Sequence, residues 1–113
     1  MVNNALSSST PYDDDRKRAA LIGFLSAGLD PTPSRAVLVS ALADARRAVA
    51  ALRSRREPIG QWLANEIRFR GVRENAAVLA ALEVSGERDA IVNAYRKRYP
   101  QRSEQLDNIV ALL

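Results

Sequence analysis

The sequence predicts an all-α fold, a compact bundle of about six helices in which the second is the longest. Three observations point there. Apolar residues recur at helical spacing in one segment after another, and no strand-like alternation survives anywhere. Asn-Gly and Asp-Gly hairpin turns are absent. The apolar share, 47% of the residues, is carried by Ala, Leu, Val and Ile with only six aromatics, a mixture that fills helices and lets them pack closely.

Residues 1–12, beginning MVNNALSSSTP, read as a disordered leader of small polar residues, followed by one helical domain over 13–113. The leader lacks the basic patch and apolar stretch of a signal peptide. Its Ser- and Asn-rich composition leaves an uncleaved bacterial export leader as the alternative to a cytoplasmic protein.

The first helix is expected from Asp13 to Ala27, with Ala20, Leu21, Phe24 and Leu25 inward and Gly28 ending it. Asp13, Asp14 and Asp15 belong to its first turn, where carboxylates meet the positive end of the helix dipole. Consecutive helical residues diverge, so capping is expected of them rather than a metal cluster. The second helix runs from Pro33 to about Arg56, with Thr32 as N-cap. Leu38, Leu42, Ala45, Val49 and Leu52 form an apolar seam along it, to be met by another helix of the chain or by a second copy.

Glu57 and Pro58 open a third helix carrying Ile59, Trp62, Leu63 and Ile67 on one face, with Gly71 as its stop. Trp62, the only tryptophan, is expected to be the largest side chain of the core. A fourth helix, Glu74 to Val84, buries Val78, Leu79 and Leu82. A fifth, Glu87 to Arg98, buries Ile91, Val92 and Tyr95 before Pro100 ends it. Ser103 caps the sixth, on which Leu106, Ile109, Val110 and Leu113 keep helical spacing.

Missing residue types bound the chemistry. Without cysteine there is no disulfide, thiolate nucleophile or zinc–thiolate site, which fits a reducing compartment. Without histidine, the usual general base at neutral pH and the commonest metal ligand are both lacking. A serine nucleophile would need Lys17 or Lys97, the only lysines. The expectation is a protein that is not an enzyme and holds no cofactor or metal. No apolar run approaches the ~20 residues of a membrane span.

The formal charge of +4 is uneven. Residues 35–73 carry nine basic and three acidic side chains, a net of +6, while 1–34 and 74–113 each carry a net of −1. Arg46 and Arg53 lie beside the apolar seam, with Arg55 and Arg56 at the corner that follows. Arg68 and Arg70 crowd the end of the third helix. These six are the expected protein-binding residues, since a basic stripe attracts an acidic partner. Interleaved exposed aromatics are lacking, which argues against a surface for stacking single strands.

Within residues 76–99 the stretch VLAALEVSGERDAIVNAYRKRY resembles a helix-turn-helix, with LEVS giving the look of its turn. Glu83 stands where that motif has Gly, and Asp89 where it has a branched anchor. The resemblance implies Arg88, Asn93 and Arg96 facing a groove of duplex DNA, with Lys97 and Arg98 on phosphates. The segments RGVRENAAVLAAL, AIVNAYRKRYP and EQLDNIVALL are similar to the helix order within an annexin repeat, paired Tyr95 and Tyr99 included. Arg68 to Glu74 replace the calcium loop of that repeat, so calcium-dependent membrane binding is not implied.

The leading expectation is a non-enzymatic protein acting by contact with another macromolecule, most plausibly a protein, as a bacterial or phage regulator, adaptor or exported effector. A nucleic-acid-binding regulator and a self-associating structural protein are the alternatives, the latter a homo-oligomer through the Leu38–Leu52 seam.

Overall fold

The computed structural model describes residues 11–113, with side chains from Asp14 onward. The leader expected over 1–12 lies outside the described residues except for Pro11 and Tyr12, whose backbone already belongs to a helix. The elements are α1 (Pro11–Ser26), α2 (Arg35–Ser54), α3 (Gly60–Glu66) with a 3₁₀ turn over Ile67–Phe69, α4 (Gly71–Val84), α5 (Arg88–Arg98), a 3₁₀ turn over Pro100–Arg102, and α6 (Ser103–Val110). There is no strand among the described residues.

Three expected boundaries move, each for a local reason. Ser34, not Thr32, caps α2: its backbone is extended and its hydroxyl accepts from the Val37 amide at 3.2 Å. Gly71 opens α4 instead of stopping α3, because the chain reverses through Arg70 and Gly71, both with positive φ (54° and 63°). Ser103 is the first residue of α6 rather than its cap, and its hydroxyl donates back to the Pro100 carbonyl at 2.9 Å.

The seam on α2 is buried as expected at Leu38, Leu42, Ala45 and Val49, with Leu52 half-buried. Its cover is α4 of the same chain. Each buried leucine contributes about 1.5–3 kcal/mol over exposure, so self-association through the seam would first have to strip α2 from α4. That corrects the expectation of a seam-mediated homo-oligomer.

The centre of the fold is α4. Every residue from Glu74 to Leu82 is buried, nine in succession where periodicity predicted three apolar positions. It packs against α1, α2, α3 and α5, so no side of it meets water over those turns. Its run AAVLAAL is apolar all round, the pattern of a helix enclosed on every side. Trp62 is only half-buried, and the largest fully buried side chains are Tyr95 and Phe24, whose rings lie 5.1 Å apart. Trp62 falls short because α3 is a two-turn helix applied to the outside of α4.

Two polar residues at the start of α4 are buried with the apolar ones. Asn75 donates to the carbonyls of Leu25 and Ala27 (3.0 and 3.1 Å) and accepts from the Tyr95 hydroxyl at 2.8 Å. Tyr95 in turn accepts from Arg102 at 2.9 Å. Glu74 accepts from Arg98 at 2.7–2.9 Å and from the Tyr99 hydroxyl at 2.7 Å. This network ties the ends of α1 and α5 to α4, and a buried carboxylate persists there because its oxygens are paired. Burial pushes the Tyr95 phenol above its ordinary value, an effect that the Arg102 hydrogen bond only partly offsets.

Candidate protein-binding groove

Both α3 and α5 lie on α4, yet they come within 8 Å of each other, Cα to Cα, at no pair of residues. The space between them is a groove. From α3 and the residue before it come Ile59 and Leu63, and Ile67 continues the same face into the 3₁₀ turn. Across from them α5 presents Ala90, Ile91 and Ala94, while Val78 and Val84 of α4 form the floor. Two adjoining cavities of about 450 and 180 Å³ share Leu63 and Ile91. Apart from buried Val78 the branched side chains are half-buried, whereas Gly60, Ala90 and Ala94 are exposed and let another backbone come close.

Cations border this groove. Arg53, in the last turn of α2, lines one end and Arg98 the other. Lys97 follows Ala90 and Ala94 at i+7 and i+3, on the same side of α5, and is exposed. Of the two carboxylates at the Arg53 end, Glu57 is held by Arg55 at 3.2 Å and Glu87 is unpaired among the described residues. Arg53, Arg56, Arg68, Arg70 and Lys97 also form no ion pair among the described residues.

The end of α2 explains the placing of Arg56. Glu57 donates its amide to Leu52 O at 2.9 Å and Arg56 donates to Arg53 O at 3.0 Å, a Schellman closure with Arg56 at φ 57°. That position ordinarily takes glycine. Arg56 there, and Arg70 with φ 54°, hold backbone conformations that cost a side-chain-bearing residue stability, and they flank α3 on its two sides.

The remaining expected site residues are placed as follows. Arg46 lies two turns back on α2, doubly hydrogen-bonded to Glu83 of α4, which raises its affinity for its proton. Arg68 donates to Asn65 at 3.4 Å. Arg88 turns inward and donates to the Leu82 carbonyl at 3.1 Å, closing the last turn of α4. Arg96 pairs with Asp107 of α6 at 2.9 Å, and Asn93 is exposed on the side of α5 away from Ile91. The structure thus brings Arg53 from the basic corner and Arg98 from the helix-turn-helix-like segment to one apolar groove, with Arg55 and Arg56 following Arg53 at the end of α2 and Lys97 beside Arg98 on α5. It leaves Arg46, Arg88, Asn93 and Arg96 elsewhere. Sequence reading missed Leu63, Ile67, Ile91, Ala90 and Ala94 as site residues, because an apolar stripe on a helix looks the same whether a core or a partner covers it.

No helix among the described residues is long and apolar enough to cross a membrane, and no group of three or more acidic side chains among them could hold a metal ion. No protein-family model, curated protein or solved structure matches the chain.

Proposed function

We propose that this chain is a non-enzymatic binding module that receives a segment of another protein in the groove between α3 and α5, as a regulator, adaptor or effector. The observation that carries this reading is the groove itself: half-buried Ile59, Leu63, Ile67 and Ile91 line two adjoining cavities between α3 and α5, helices that both lie on α4 with no Cα pair within 8 Å of each other. A small domain gains by covering such side chains, and a partner supplies the cover. The absence of histidine and cysteine supports binding over catalysis, and the absence of cysteine fits work in the cytoplasm, with export as the alternative.

Filling the groove tests the reading. Ala94→Trp adds bulk at an exposed lining position and should leave helix content intact, while lowering partner capture by about tenfold or more. Ala51→Trp, on the exposed side of α2, serves as the control. Capture measured by quantitative cross-linking that is equal for the wild type, Ala94→Trp and Ala51→Trp would remove the groove as the site. A mobility shift with random duplex DNA, falling steeply with salt and lost on changing Lys97, would favour nucleic-acid binding instead.

A further inference from the structure

Independently of what fills the groove, we infer that residues 59–69, α3 with its 3₁₀ turn, form a flap hinged at Arg56 and Arg70 that lifts from α4 as one unit while the other five helices stay packed. Burial sets this segment apart. The core takes Phe24 and Leu25 from α1, Val92 and Tyr95 from α5, and Leu106 and Ile109 from α6, a helix of eight residues. Residues 59–69 give it no fully buried side chain, only the half-buried Ile59, Trp62, Leu63 and Ile67. Elements with so little buried apolar surface open at the lowest free energy.

The segment also has a single neighbour. Among the described residues, α4 is the one other helix that it approaches within 8 Å, Cα to Cα. A cavity of about 420 Å³ lies between it and Ala41, Ala45 and Ala48 of α2, and the groove lies between it and α5. Polar ties are few. Among the described residues, the side-chain hydrogen bonds that join 59–69 to another helix all come from Arg73, in the first turn of α4. Its guanidinium donates to both Glu66 oxygens, at 2.8 and 3.1 Å, and covers the Phe69 ring at 3.6 Å. Arg73 is 53% exposed, so this catch is weak.

The chain enters and leaves the segment through strained joints. Arg56 has φ 57°, and Arg70, at φ 54° and ψ −172°, occupies backbone space that is almost glycine's own. That strain belongs to the closed arrangement. Once the flap lifts, both arginines return to ordinary backbone, and the release offsets part of the cost of opening. Glycine would make the same turns without this bias. Opening bares Val78 of α4, which lines the groove with Leu63 and Ile67, and joins the clefts on the two sides of α3 into one trough. The fold thus carries an apolar surface that it shows for part of the time.

The chain has no cysteine, so one introduced thiol reports one position. Val78 and Val49 are each 2% exposed, but Val49 belongs to the seam of α2 that α4 covers. In the full chain, Val78→Cys should react with a maleimide at least about tenfold faster than Val49→Cys, because local opening reaches the first and only global unfolding the second. Adding Arg56→Gly and Arg70→Gly should slow the Val78→Cys reaction by about fivefold, and adding Arg73→Ala should speed it. Hydrogen exchange read by mass spectrometry should show the amides of 59–69 exchanging with one common dependence on urea, ahead of those of α6.

Equal reaction rates at the two cysteines overturn the inference, as does a glycine pair that leaves the Val78→Cys rate unchanged or raises it. Exchange in α6 as fast as in 59–69 overturns it too, since openness would then belong to any short outer helix. So does exchange across 59–69 that frays residue by residue without a shared opening. These readouts need no partner, and their failure leaves the reading of the groove standing.

Discussion

Arginine does opposite work at two ends of this molecule. At the junction of α1, α4 and α5, Arg98 meets a carboxylate that is 1% exposed, and Arg102 lies 3.7 Å from the Tyr99 ring while donating to Tyr95. At the corner after α2, Arg53 and Arg56 are exposed and form no ion pair among the described residues. The residue type is the same, and the burial of the partner separates the roles. A guanidinium facing a dehydrated acceptor holds the fold together, whereas one facing water adds little to stability and is open to contact. Counting arginines along the sequence merges the two.

The largest effect is expected where the contrast is steepest. Glu74→Ala leaves the partly exposed Arg98 and the Tyr99 hydroxyl without their acceptor, and hydrogen bonds to a charged group contribute about 1.5–3 kcal/mol each. Urea titration should place the midpoint well below that of the wild type, or show a chain that no longer folds cooperatively. Arg53→Glu should leave the same midpoint where it was while weakening the partner. If both substitutions moved stability alike, the distinction drawn between the two ends would collapse.

Next comes Gly28, which has φ 76° and sits against Arg102: an added Cβ would clash with the Arg102 guanidinium. Gly28→Ala must displace that side chain and strain the backbone, at about 1–3 kcal/mol. Thermal unfolding measures the loss, and a Tm unchanged by Gly28→Ala would show that Arg102 contributes little.

A smaller shift of opposite sign is expected at the exposed end. Arg56→Gly relieves a left-handed arginine and should raise stability by about 0.5–1 kcal/mol, at the expense of binding. A loss of stability would mean that Arg56 makes a structural contribution that its exposed position hides. The smallest effect concerns alkaline pH. Tyr95 holds its proton more tightly in the native state than unfolded, where the phenol titrates near 10.0. Stability from this group is therefore complete below that pH and declines as pH rises above it. Tyr95→Phe should flatten the decline in pH-dependent denaturation, which checks that Tyr95 and not a lysine is responsible.

Much of the fold was legible in the residues. The α2 seam, the inward faces of α1 and α6 and the order of six helices follow from spacing alone, because helical period survives whatever the partner. Burial of Glu74 and Asn75 did not show, since polar residues at a helix start read as caps. The glycine at 71 was legible as a punctuation mark but not as to which side it served. Of the site, Arg53, Arg55 and Arg56 stood out as a charged corner, and Lys97 and Arg98 as the tip of a different motif. That Arg53 and Arg98 both reach the cavities shared by Leu63 and Ile91 depends on α3 and α5 remaining apart, a tertiary fact that no local pattern records.

The enclosed position of α4 also sets a schedule for synthesis. The three helices made before it cannot cover the apolar sides they turn to α4 until Gly71–Val84 has left the ribosome. A nascent chain halted at the α3 turn would expose the leucines of α2 to solvent and to chaperones. A gene fragment ending there should yield aggregate rather than a smaller folded unit, however helical its three segments are.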